Sequence, residues 1–489
     1  MTRAAALASL TVLITACASA PPIAQPDIVT LIPAQWAQAA PPSTSADLAP
    51  DWWTDFGDPS LDAAVQVALD ENRDLRAAVA RLEQAAADTR ITAADLQPTV
   101  QAGFNASRRR QNFIGFPIPG SEDRVLSTTS ANLGLSVDTS WELDLWGRLR
   151  AGTRAALADL QATGADYRGA QLSLAGQTVK AWFAATEARQ QVALAGASVA
   201  SFRDSSNQVR GRFEQGLRSS LDLRLSLTNL ANAEALLQQR RQQLDATERQ
   251  LAILMGRYAS AGLQLPERLP ALPPPVPAGL PSALVGRRPD LASAERRVAA
   301  ATERATVARA ALYPRITLTG STGTASGDLQ NLIDPSRTVW SLASSLLQPL
   351  FQGGRLRAGV DRADARIDEV LADYTATALQ AYAEVESALV AEGLLARRVE
   401  FLTTASEHSR AAEQLSEDRY RAGLEPFVTV LESKRLALQA EGELIVARRQ
   451  HLENRVDLYL ALGGGFDQLD APVRLQRADP VPAGRQGGQ

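Results

Sequence analysis

The sequence predicts a mainly α-helical protein with a small β part, built as two copies of one plan. Three observations carry that expectation. Ala, Leu, Arg, Gln and Glu dominate and aromatics make up only 5 % of the 489 residues, a composition of long helices rather than of an aromatic-filled core. The hexapeptide GRLRAG stands at 147–152 and again at 354–359, 207 positions later. Four short segments alternate apolar and polar residues with period two, the pattern of strands wet on one side.

The repeat extends well beyond six residues. RFEQGL at 212–217 pairs with RYRAGL at 419–424, and LAILMG at 251–256 with LYLALG at 458–463, both at the same offset of 207. Upstream, Asp74 pairs with Asp290 and Pro98 with Pro314 at an offset of 216, so the first copy is nine residues longer between Pro98 and Gly147. The chain then divides into a signal peptide (1–16), a lipidated N-terminal tether (17–60), a first copy (61–262), a Pro-rich linker (263–282), a second copy (283–465) and a disordered C-terminal tail (466–489).

Each copy starts with a helix, over 61–96 and 283–312, stopped by Pro98 and Pro314. The alternating segments come next. Val100, Ala102, Phe104 and Ala106 share one face of the first; Leu133, Leu135 and Val137 oppose Asn132, Gly134, Ser136 and Asp138 in the second. Ile316 and Leu318 oppose Thr317 and Thr319 in the third, and Trp340 and Leu342 share a face of the fourth. About ten residues per segment is what a tilted membrane-spanning strand requires. Trp141 and Trp146 end the second segment, where an aromatic girdle forms. A helix of about 65 residues follows in each copy, on the order of 100 Å long. It reverses at Gly216 or Gly423 into a second helix. There Leu223, Leu230, Leu237, Leu244 and Leu251 recur every seven residues, with Val430, Ala437, Leu444, His451 and Leu458 as their equivalents, a coiled-coil seam. His451 reads as a packed polar residue.

Net charge is −4, which leaves no basic footprint for nucleic acid. His408 and His451 are the only histidines and Cys17 the only cysteine, so no disulfide, metal spacing or nucleophile–base set is available and no enzyme, cofactor or metal site is expected. Cys17 follows a short apolar segment ending Ile14-Thr15-Ala16, similar to a bacterial lipobox, which makes it the lipidation site. The basic triplet Arg108–Arg109–Arg110 lies in the first hairpin and reads as part of an outer loop. Four strands cannot close a membrane barrel, because open sheet edges are not tolerated in hydrocarbon and bacterial barrels need at least eight strands. Several chains must therefore share one.

The duplicated helix–strand–strand–helix–helix plan, the two glycine turns, the lipobox and the closing YLALGGG at 459–465 resemble the outer-membrane factor (TolC-like) family, in particular its NodT-type lipoprotein branch serving RND efflux pumps. That resemblance implies a homotrimer spanning the outer membrane, each protomer giving four strands to a shared β-barrel and its long coiled-coil helices to a periplasmic α-barrel. It implies passive conduction of small molecules or drugs, with a periplasmic adaptor (membrane fusion) protein and an inner-membrane RND transporter as partners alongside outer-membrane lipid. Type I protein secretion is the runner-up cargo, and a pore-free structural coiled-coil lipoprotein the contrasting class. The resemblance further implies adaptor docking at Gly216, Leu217, Gly423 and Leu424, and a periplasmic gate drawn from Asp222, Val428, Glu432 and Arg435. The family often carries aspartate where this chain has Glu432, so a looser ring is expected there.

Overall fold

The helix expected over 61–96 is two helices. In the computed structural model, which describes residues 36, 49–113, 126–259, 262–276 and 284–465, α1 spans Pro59–Glu71 and α2 Arg73–Ala94. Asn72 makes the break. Its backbone N–H donates to the Ala68 carbonyl and closes α1, while its Oδ1 accepts from the N–H groups of Asp74 and Leu75 at 2.9 and 3.0 Å and caps α2. Asp58 caps α1, which is why the helix begins two residues ahead of Leu61. The helix expected over 283–312 also starts later, at Pro289, after a separate single turn Leu284–Arg287.

The remaining elements are β1 (Thr99–Phe113), β2 (Leu126–Leu143), α3 (Arg148–Glu214), α4 (Ser220–Leu254), α5 (Pro289–Ala310), β3 (Arg315–Ser326), β4 (Thr338–Leu347), α6 (Arg355–Arg421) and α7 (Phe427–Ala461). Helices α3 and α6 have 67 residues each, α4 and α7 have 35, and α2 and α5 have 22. Strand β2 reaches 18 residues, longer than expected, because the triplet Arg108–Arg110, expected in an outer loop, lies within β1 and pairs with Ala131, Ser130 and Thr129, and Gln111 and Asn112 continue the ladder with Thr128 and Ser127. The signal peptide, Cys17, the tether apart from Trp36 and 49–60, the hairpin loop 114–125, linker residues 277–282 and the tail lie outside the described residues.

Two compact units divide the chain, and each draws on both sequence copies. The first takes Ala77–Tyr167 and Asp290–Ala378. Its four strands form one antiparallel sheet in the order β1-β2-β3-β4. The helical stretches attached to them follow the same order. Thr89 Oγ1 of α2 donates to the Ala156 carbonyl of α3, Arg154 of α3 pairs with Glu303 of α5 at 2.8 Å, and Arg309 of α5 pairs with Asp364 of α6 at 2.6 Å. Val298 and Ala301 of α5 bury themselves against Val370, with Ile367, Leu371 and Tyr374 around them. At the helix–strand junctions the Trp141 indole N–H donates to the Leu96 carbonyl, and in the second copy Gln348 Nε2 donates to the equivalent Leu312 carbonyl. Trp146 donates to the Pro314 carbonyl at 2.7 Å and stacks on Tyr313.

The second unit draws its described residues from Ile32–Arg76, Arg168–Pro289 and Leu379–Gln489. Here too one contact appears once per copy. Asn72 Nδ2 donates to the Leu254 carbonyl at the end of α4, and Arg288 Nη1 to the Ala461 carbonyl at the end of α7. Beside them Gly256 and Gly463 approach the Glu71 and Arg287 carbonyls so closely that a Cβ would come within 2.3 and 2.5 Å of the oxygen. The N-terminal segment is fastened by aromatic contacts: Trp36 lies 6.1 Å from Tyr382, and fully buried Trp52 stacks on Tyr459 at 5.0 Å. His451 is buried, with Nε2 3.0 Å from Glu392 Oε1.

Candidate functional site

The register of the sheet decides what the strands can do. Ala102 faces Val137, Phe104 faces Leu135 and Ala106 faces Leu133. Trp141 faces Leu318 and Leu143 faces Ile316 across the next ladder, and Ile316 faces Leu346 across the last. Directly opposed residues share a face, so most apolar positions of the four strands gather on one side of the sheet, with Phe113, Val339 and Leu347 near the strand ends as exceptions on the other. Val100, Phe104, Val137, Trp340, Leu342 and Leu346 are all exposed there. Gln101, Asp138, Ser321 and Ser341 form one row of the other side, with Thr99, Ser140 and Thr319 beside them. The wall is thus apolar on one surface and hydroxyl-rich on the other. Strands β1 and β4 each have one hydrogen-bonded neighbour among the described residues and present an open edge.

The glycine turns are built alike. Gly216 has φ 74° and Gly423 φ 78°. The N–H of Gly216 donates to the Phe213 carbonyl and that of Leu217 to the Arg212 carbonyl; Gly423 and Leu424 repeat this with Tyr420 and Arg419, at 2.8–3.0 Å throughout. These are the paired bonds of a Schellman stop, which places a left-handed residue after the last helical turn. Space does not demand glycine here, since a Cβ would meet nothing within 4 Å; the backbone angle does. The two turns are held together: the guanidinium groups of Arg212 and Arg218 lie 5.1 and 4.7 Å from the Tyr420 ring centroid, and the Phe427 ring lies 5.4 Å from it. Leu217 and Leu424 are about as exposed as each other, at 68 % and 70 %.

Above the turns, Glu432 and Arg435 form an exposed i,i+3 ion pair on α7, and that hydrogen bond holds the Glu432 carboxyl below its usual range. Val428 is exposed one turn earlier. Asp222 sits on the first turn of α4, where its N–H donates to the Ser219 cap at 3.2 Å, and takes no part in the Glu432–Arg435 pair. Sequence reasoning missed the neighbour of Arg435. Lys434 is buried, and its ammonium pairs with Glu417 of α6, bonds Ser201 Oγ of α3 and lies 5.9 Å from the Phe202 ring. Burial pushes the nearby Glu413 carboxyl up, against the pull of Lys434. The available signal was that this arginine-rich chain has only two lysines.

A family model for outer membrane efflux proteins matches residues 64–257 and 280–464. The chain belongs to the outer membrane efflux protein family. A relative from Pseudomonas putida, the pyoverdine export outer membrane protein OpmQ, is 35 % identical over 448 residues, covering 90 % of this chain and 93 % of its own. Among solved structures, the outer-membrane channel OprN matches with TM-score 0.82 at 31 % identity over 92 % of this chain and 100 % of that one. The MtrE outer membrane channel of Neisseria gonorrhoeae, solved in its open state, matches with TM-score 0.78 at 29 % identity over 92 % and 99 %. The mainly α fold with a four-stranded sheet is thus that of outer-membrane efflux channels, and the outer membrane is where this efflux protein resides. No helix among the described residues is long and apolar enough to cross a membrane.

Proposed function

We propose that three copies of this efflux protein close one barrel from their four-stranded sheets. The closed wall forms a passive outer-membrane duct for small molecules, supplied by an inner-membrane RND transporter through a periplasmic adaptor. The observation that carries this is the sheet: one apolar face, one polar face and two open edges. Such a wall is stable in lipid only when its edges are paired, and β4 of one copy has the direction needed to pair antiparallel with β1 of the next. The relatives bearing export and efflux names favour small molecules over protein cargo. Cys17 carries the lipid anchor, the Gly216-Leu217 and Gly423-Leu424 turns dock the adaptor, and Asp222, Val428, Glu432 and Arg435 line the periplasmic gate.

Purified protein is expected to run as a complex of three chains in detergent and to conduct ions in planar bilayers; a monomer without conductance refutes the duct. Acyl labelling is expected on the wild type and absent from Cys17→Ser. Gly423→Trp should abolish efflux while complexes persist in the membrane, and persistent efflux removes the turn from adaptor docking. Glu432→Ala should raise conductance or flicker, whereas an unchanged trace removes Glu432 from the gate.

A further inference from the structure

We propose that Arg108 and Arg110 hold the phosphate groups of outer-leaflet lipid, while Arg109 between them does not. The assignment rests on the barrel reading above and on the strand register. Arg108 stands opposite Ala131, Arg109 opposite Ser130 and Arg110 opposite Thr129. Alternation therefore puts Arg108 and Arg110 on the face of Val100, Phe104, Leu133 and Leu135, which meets lipid, and puts Arg109 on the polar face.

Height decides what they meet. On β2 the apolar side of the sheet runs from Leu143 to Leu133, about 33 Å along the strand, or on the order of 25 Å of bilayer at the usual tilt. Ala106 and Leu133 form its rim at the end away from the helices, since α2 and α3 join the strands at Thr99 and Leu143. Arg108 is the next residue outward on that side, roughly 7 Å beyond the rim, and Arg110 is one step further. Both fall at the level of lipid headgroups. Strand β1 is exposed along its whole length. The paired segment 127–131 is Ser-Thr-Thr-Ser-Ala and carries no charge. Arg110 Nη2 bonds Ser127 Oγ at 3.1 Å, and among the described residues no carboxylate pairs with any of the three. A guanidinium fork matches phosphate oxygens and stays charged. Chemistry and height together select a lipid whose headgroup bears phosphate.

The test uses the full-length protein in neutral detergent with three probes: bis-phosphorylated lipid A, its dephosphorylated form and inorganic phosphate. Lipid A should bind the wild type and R109Q alike. R108Q/R110Q should bind about thirtyfold more weakly, near a factor of five per arginine, and the dephosphorylated lipid should bind all three weakly. Equal loss in R109Q, unchanged affinity in R108Q/R110Q, or full displacement by inorganic phosphate at equal phosphate concentration would each overturn the proposal. The same preparations are tested in planar bilayers. Conductance in every variant with unchanged lipid affinity defeats the lipid site alone; a non-conducting wild type defeats the barrel reading, and this one with it.

Discussion

Helices α4 and α7 occupy equivalent places in the two copies, with the same length and the same seven-residue seam, yet one is peripheral and the other is core. Val430, Ala437, Leu444, His451 and Leu458 of α7 are all buried; of their α4 counterparts only Leu251 is, and Leu223, Leu230, Leu237 and Leu244 stay half-covered. The difference is lateral. Helix α7 is flanked on two sides, pairing with α3 through Arg449–Glu187 and Lys180–Asp457 and with α6 through Arg410–Glu441 and His451–Glu392. Helix α4 leans on α3, through Arg203–Glu234 and the cluster of Val199, Phe202 and Ala233. A heptad states which stripe a helix can bury; the number of neighbours sets how much of it is buried within one chain.

The same divergence shows at single positions. Lys434 of α7 stands where α4 has Leu227, and Arg455 where α4 has Glu248. Both members of the second pair hold the chain between α4 and α5, with opposite chemistry. Glu248 accepts the N–H of Gly262 at 2.6 Å, and Arg455 donates to the carbonyls of Pro273 and Pro274 while pairing with Glu392. Prolines have no N–H to offer a ladder, so their carbonyls need an external donor, and a buried guanidinium supplies it.

The comparison can be broken in several ways, taken from the largest effect down. Arg455→Ala should lower unfolding stability in detergent by about 3–5 kcal/mol, because it strands a part-buried carboxylate and two carbonyls. Glu248→Ala should cost about 1 kcal/mol, and equal losses would mean that α4 is as deeply set as α7. Leu444→Ala should cost about 2–4 kcal/mol against about 1 for Leu237→Ala. Matching values would show that another chain covers the α4 seam in the assembled protein.

Acid should loosen the contact between α6 and α7. Burial by itself would raise the Glu392 carboxyl, but hydrogen bonds from His451 and Arg455 outweigh it and bring the pKa down to about 2 from 4.5. A depressed carboxylate stabilises the fold above its unfolded pKa. Its contribution, on the order of 2 kcal/mol after allowing for solvent screening, is therefore full above pH 4.5 and disappears as pH falls towards 2. Glu392→Gln should flatten the unfolding profile across that window; an unchanged slope would place the acid sensitivity elsewhere. In the first copy the position corresponding to Glu392 is Ala185 of α3, which cannot titrate. The smallest effects belong to the turns: Gly216→Ala and Gly423→Ala should each cost about 1 kcal/mol through the positive φ, nearly equally, since both turns have the same bonds.

Much of this molecule was legible because its signals are local and periodic. Repeated GRLRAG, alternating Phe104 and Leu135, and heptad leucines each act within a few residues, and the chain geometry of helix and strand turns them directly into faces. The break at Asn72 was not legible, since a side chain that ends one helix and caps the next inside an unbroken apolar pattern looks like any other polar residue. Lys434 and Arg455 were not legible either, because a charged residue on a long helix is ordinarily solvated.

The sequence alone determined the duplication, the kind and order of the main elements, the glycine stops and the two-faced character of each strand, all consequences of backbone propensity and residue period. Only the tertiary structure decided that the four apolar faces fall on one side of the sheet, that the two turns meet around Tyr420, and that α7 rather than α4 is enclosed. Those outcomes depend on strand register and on which helices become neighbours, and neither is encoded within any single stretch of chain.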